Sequence, residues 1–133
     1  MYKLFDTTIW IDYFKGNNTP ETNFLFQCLA NGKICIAGVI IQEVLQGIRN
    51  DTQYLQIKNH FHNLPLLPAP TFETYEAAAQ LYRSLRKKGV TIRKANDCLI
   101  AAYAIHFDIE LCHNDSDFDL ITENSALKIW KPI

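Results

Sequence analysis

TIRKANDCLIAAYAIHFDIELCHNDSDFDLI, Thr91 to Ile121, is the stretch that decides how the rest of the chain reads. Asp97 stands immediately ahead of CLIAAYAI, Cys98 to Ile105, eight apolar residues in unbroken order. Ile109 to Cys112 is a second, shorter apolar segment, and it runs straight into His113, Asn114, Asp115, Ser116 and Asp117. The first pattern predicts a buried helix that begins at a carboxylate, the second a buried strand that ends at one. An ionised carboxylate beside apolar core is costly unless positive charge compensates it. Two such positions so close in sequence suggest a metal site.

Working outward, the flanking segments alternate in the same way. Tyr2 to Phe5 reads as a strand with Asp6 at its carboxyl end, and Thr7 or Thr8 can cap the helix that follows. Gly16 to Pro20 is a loop, Glu21 to Ala30 a helix, and Lys33 to Ala37 a strand suited to a sheet covered on both faces. A helix over Val39 to Arg49 places Ile40, Ile41, Val44, Leu45 and Ile48 on one arc, with Gln42, Gln46 and Arg49 opposite. Glu43 falls at the margin of that arc, one turn before Gly47, and so is not a free solvent position. Further helices are predicted over Asp51 to Asn63 and Phe72 to Lys88, the latter stopped by Gly89. Leu64 to Leu67, hemmed by prolines, is a short strand or extended link. Phe118 to Ile121 reads as one short turn, and Leu127 to Trp130 as a last strand. Alternating strands and helices argue for one α/β domain over residues 1–133 with a mostly parallel sheet.

Composition narrows the class. The 133 residues are 48% hydrophobic and 20% charged, the balance of an ordinary globular domain. Thirteen Lys and Arg against fourteen Asp and Glu give a net charge of −1, so attraction to nucleic acid has to be local. Cys28, Cys35, Cys98 and Cys112 sit singly in apolar contexts without a CxxC pair, which suits reduced thiols in a cytoplasm. No signal-peptide core follows Met1, and the longest apolar runs are too short to span a bilayer, so the expected location is cytoplasmic and no membrane partner is expected.

In open parallel sheets, sites form at the carboxyl ends of strands. Asp6 and Asp115 lie at such ends, Asp97 at a helix start and Glu43 at a helix margin. Each alone has an ordinary explanation. Asp6 and Asp97 could be turn or cap residues, Glu43 could reach water, and Asp115, Asp117 and Asp119 could be a solvated loop with Asp117 capping its turn. Gathered together, four acids repel one another, and hard oxygen ligands of this kind suit Mg²⁺ or Mn²⁺.

Four blocks, FDTTIWIDYFKG, IAGVIIQEVLQGI, TIRKANDCLIAAYAI and LCHNDSDFDLI, together resemble those of PIN-domain ribonucleases, with the nearest likeness to the VapC-type toxins of bacterial toxin–antitoxin systems. The likeness covers nearly the whole chain in the expected order. It implies a three-layer α/β/α sandwich, usually a homodimer, and a VapB-type antitoxin that blocks the cleft. It also implies that Asp6, Glu43, Asp97 and Asp115 match the acids that bind Mg²⁺ or Mn²⁺ and cut RNA. His113 departs from the pattern, because many members carry Thr or Ser two residues before the last acid.

Arg83, Arg86, Lys87, Lys88, Arg93 and Lys94 fall in one twelve-residue window that ends just before Asp97. Cations at a helix end suit its dipole, yet a basic rim beside an acidic cleft is also what a phosphodiester substrate needs. Arg86, Lys87, Lys88, Arg93 and Lys94 are therefore the candidate substrate-binding residues. The expected function is a metal-dependent endoribonuclease acting on RNA, tRNA among the candidates, by hydrolysis. The rival is a non-catalytic RNA- or protein-binding module of the same fold with a structural ion. An aspartyl-phosphate enzyme is disfavoured, because the DxDx[TV] pattern is missing after the first strand.

Overall fold

The computed structural model describes residues 1–132. Three short strands, β1 (Lys3–Phe5), β2 (Ile34–Cys35) and β3 (Glu110–Cys112), form a parallel sheet in the order β2-β1-β3. The central β1 pairs Leu4 with Cys35 on one side and Leu4 with Leu111 on the other. Seven helices surround the sheet: α1 (Thr7–Phe14), α2 (Pro20–Ala30), α3 (Gly38–Gln46), α4 (Asp51–His62), α5 (Phe72–Lys87), α6 (Ala95–His106) and α7 (Ser116–Glu123). The chain steps outward from β1 to β2 and then crosses back to β3 on the far side of β1. Right-handed crossovers carry the intervening helices over opposite faces of such a sheet. The result is the predicted helix–sheet–helix sandwich.

Burial explains why the strands are so short and so apolar. Leu4, Phe5, Ile34, Ile36 and Leu111 are fully enclosed, and Ile9, Trp10, Ile40, Ile100 and Phe118 reach the same core from four helices. Trp10 meets Phe61 edge to face with centroids 5.2 Å apart, tying α1 to α4. All four cysteines are free thiols and buried, as expected.

Helix ends set the path into the sheet. Gly89, at φ 80°, follows α5; the Val90 N–H reaches the Leu85 carbonyl at 2.9 Å and the Gly89 N–H reaches that of Arg86 at 3.0 Å. This is a Schellman closure, which satisfies carbonyls the helix would leave bare. Asp108 does the same after α6 with a non-glycine residue at φ 52°, and Lys128 pairs with its carboxylate at 2.7 Å. That turn delivers the chain directly into β3.

Several elements differ from their sequence-based expectations. Leu127 to Trp130 flanks the sheet but contributes one bridge, Ile129 to Leu111, while Leu64 to Leu67 takes the extended-link alternative with one bridge, Leu66 to Ile36. Prolines at 65, 68 and 132 remove donors from these edges, which keeps them from becoming full strands. The turn expected at Phe118 to Ile121 is an eight-residue helix, and Asp115 rather than Asp117 caps it, accepting from the Asp117 N–H at 3.0 Å. Asp6, not Thr7 or Thr8, occupies the N-cap position of α1. α3 stops at Gln46, short of the predicted Arg49.

Candidate active site

Each strand passes almost directly into a helix at the same edge of the sheet: β1 through Asp6 into α1, β2 through Ile36 and Ala37 into α3, β3 through His113 to Asp115 into α7. Helix N-termini carry partial positive charge and unpaired N–H groups, so carboxylates are favoured there. Asp6 is 4% exposed and Asp97 is 4% exposed, both deep in this edge. Asp115 is partly covered, with an 11% exposed side chain.

Asp97 is the third residue of α6, whose N-cap position belongs to Lys94 without a side-chain cap. Its Oδ2 is enclosed and has no hydrogen-bond partner. Burial, then the charges of Asp6 and Asp115, push its pKa up to about 7, with Lys94 pulling the other way. Burial likewise raises Asp6 to about 6 against the Thr7 backbone N–H, and Glu43 and Asp115 add to the rise. These mutual effects place Asp6, Asp97 and Asp115 in one electrostatic neighbourhood, with Glu43 joined to it through Asp6. Glu43 is half-buried and accepts from the Thr7 hydroxyl at 2.7 Å, so the threonine positions the glutamate instead of capping α1.

Asp97, Asp115 and Asp117 each offer one ligand atom, all within 4.8 Å of one another. This triad could hold a metal ion, and the orphaned Asp97 oxygen fits one, since a buried carboxylate oxygen wants a cation or donor. Asp117 was not among the residues the sequence singled out for metal. Its spacing, two after Asp115 across a helix start, is the signal that could have found it: both carboxylates then face back over the N-terminus.

The basic window divides. Arg93 contacts Asp115 Oδ1 through Nη2 at 3.2 Å and Asp117 Oδ2 through Nε at 3.2 Å, while Lys94 Nζ lies 3.7 Å from Asp115 Oδ2. Arg86 instead lies over the Tyr82 ring, 5.7 Å from its centroid, and Lys88 donates to Asn124 at 3.4 Å. Lys87 is exposed beside them. His113, buried where a Thr or Ser was expected, accepts the Asp115 N–H on Nδ1 at 3.0 Å and so steadies the loop that carries the acid. Burial holds its pKa below the usual histidine value, which suits this acceptor role.

A parallel sheet between helices, with carboxylates converging beyond its strand ends, defines an α/β sandwich protein built around an acidic site. The sequence matches the PIN domain family over residues 3–124. It is 32% identical over 127 residues to the ribonuclease VapC11 of Mycobacterium tuberculosis, covering 94% of this chain and 95% of that one. A VapC ribonuclease of Mycobacterium bovis matches to the same 32%, again with 94% and 95% coverage. Among solved structures, VapBC2 from Rickettsia felis bound to a promoter DNA fragment superposes with a TM-score of 0.77 at 20% identity, covering 98% of this chain and all of that one. DNA-bound VapBC from Salmonella typhimurium gives 0.78 at 18% identity, covering 98% of each. The chain belongs to the PIN-domain family. Among the described residues, no helix is long and apolar enough to cross a membrane.

Proposed function

We propose that this protein is a metal-dependent endoribonuclease of the VapC kind. The observation that carries the reading is Asp97, whose enclosed Oδ2 has no partner and whose carboxylate lies within reach of those of Asp115 and Asp117. Kinship with proteins named as ribonucleases supports the substrate, and the solved VapBC complexes support a VapB-type antitoxin as partner. A cytoplasmic homodimer, in line with the sequence reading above, completes the proposal.

Asp97, Asp115 and Asp117 would hold Mg²⁺ or Mn²⁺, with Asp6 beside them. When bound, such an ion supplies charge neutralisation and Lewis-acid stabilisation for a phosphodiester in hydrolysis. The chain's own groups do the rest. Glu43, fixed by Thr7, orients the attacking water and can take up its proton at the carboxylate. His113 keeps Asp115 in place through its backbone. The exposed cations Arg86, Lys87 and Lys88 attract the RNA backbone from outside the acidic cleft.

Purified protein should cut single-stranded or looped RNA with Mg²⁺ or Mn²⁺ and stop when EDTA is added. Undiminished, contaminant-free cleavage in EDTA would falsify the reading. Sequencing of the RNA ends after brief induction then identifies the target.

A further inference from the structure

Arg93 is more than another cation on the rim. Its backbone N–H donates to Asp117 Oδ2 at 3.3 Å, and its Nε reaches the same oxygen at 3.2 Å. Its Nη2 spans to Asp115 Oδ1 at 3.2 Å. Lys94 faces the other Asp115 oxygen, so both oxygens of that carboxylate already look at a cation. A divalent ion held by Asp97, Asp115 and Asp117 would sit against both of these positive groups, and that repulsion opposes its binding until they move aside. The Arg93 side chain is 68% exposed while its carboxylate partners are 11% and 8% exposed. Exposed ion pairs are weak, so the guanidinium can yield, as can the 56% exposed Lys94 ammonium at its longer 3.7 Å contact. The Arg93 backbone N–H bond to Asp117 does not depend on the side chain and can persist as a pivot.

We propose that Arg93 is an exchangeable counter-ion: it neutralises Asp115 and Asp117, is displaced from them by the divalent ion, and then pairs with a phosphate of the bound RNA. A planar fork that fits a carboxylate pair fits two phosphate oxygens equally well, which a lysine does not. The inference rests on the metal-dependent reading above and adds a residue that competes for the site before it serves the substrate.

Calorimetric titration of Mg²⁺ into metal-stripped protein tests the first half. Arg93→Gln should bind Mg²⁺ about fivefold or more tightly than the parent, since a competing charge has left. Lys128→Gln, which removes a cation paired with distant Asp108, should change affinity less than about twofold. Binding of a 2′-O-methyl RNA oligonucleotide in saturating Mg²⁺ tests the second half, and Arg93→Gln should weaken it about fivefold or more. Arg93→Met, which keeps the apolar stem, repeats both measurements in case Gln retains a hydrogen bond. Unchanged or weaker Mg²⁺ binding in both Arg93 variants overturns the proposal, as does equal tightening in Lys128→Gln. Tighter Mg²⁺ with unchanged RNA binding overturns the transfer to phosphate. A parent protein that binds neither Mg²⁺ nor Mn²⁺ in the same titration removes the metal-dependent nuclease reading itself, a different and recognisable failure.

Discussion

The start of α6 and the start of α7 present the same chemistry to the same cleft and handle it in opposite ways. Each puts an aspartate in or before a first helical turn. Asp115 caps its helix, accepts from the Asp117 N–H and faces Arg93 and Lys94. Asp97 lies within α6, enclosed, with one oxygen unpartnered and a pKa near 7. One carboxylate is thus held in position by its neighbours, the other held in tension by burial. A metal site needs both: fixed geometry from the satisfied acid, and a reason to bind a cation from the unsatisfied one.

The largest expected effect breaks this pairing at Asp97. Asp97→Asn should lower RNA cleavage about a hundredfold or more, because a ligand charge is lost. The metal-free variant should melt at the parent's temperature or above it, since a like charge has left a crowded cleft. Added Mg²⁺ should raise the melting temperature of the parent more than that of the variant. Asp108→Asn, at the opposite end of α6 and paired with Lys128 at 2.7 Å, is the control and should alter neither quantity much. An active Asp97→Asn protein with a full Mg²⁺ shift would sink the site.

Acid titration sharpens the contrast next. Asp97 and Asp6 have folded pKa values raised to about 7 and about 6, above the unfolded carboxylate value. The folded protein therefore keeps protons that the unfolded chain sheds. Stability from this source is present at low pH and is lost as pH rises through about 6 and 7. Metal-stripped protein should accordingly melt higher at pH 5.5 than at pH 8, other groups contributing in the background. Saturating Mg²⁺ should reverse the trend, because protons and the ion compete for the same oxygens. Melting curves that run in one direction with and without Mg²⁺ would show that these acids are not linked to the ion.

A smaller effect separates cap from ligand at the other helix. Asp115→Ala should cost about 1 kcal/mol of stability relative to Asp115→Asn, which keeps the cap but not the charge. Chemical denaturation reads this difference, and equal stabilities would mean that the Asp117 N–H finds another partner. Smallest is the outer basic group. Replacing Arg86, Lys87 and Lys88 with Gln should leave stability within about 0.5 kcal/mol, since exposed substitutions away from structural features rarely do more. The slope of log RNA affinity against log salt should flatten by up to about 2. An unchanged slope would return these cations to the role of a solvated helix end.

Local pattern in the sequence was enough for much of this. Apolar runs and stop signals located six of the seven helices and the three paired strands, because periodicity and chain termination are set by near neighbours. The eight-residue α7 was read as a turn, since its acids at 115, 117 and 119 looked like loop. At Leu64 to Leu67 the prolines already allowed the extended link that the single Leu66 bridge makes. Leu127 to Trp130 reads as a strand but supplies only the bridge at Ile129, because β-propensity does not tell a paired strand from an edge bridge.

By itself, the sequence determined that carboxylates stand at the ends of buried segments, and its likeness to PIN-domain ribonucleases implied that Asp6, Glu43, Asp97 and Asp115 share a site. Only the tertiary structure decided what each charge meets there. It drew Asp117 into the cluster, left one oxygen of Asp97 alone, seated Glu43 on Thr7, and put His113 beneath Asp115. It also divided one basic window into Arg93 and Lys94 against the acids and Arg86 to Lys88 outside them. The reason is range. Helix and strand periods are written over a few consecutive residues, whereas burial and Coulomb energy at a carboxylate sum over every group within several ångströms, whatever its place in the chain.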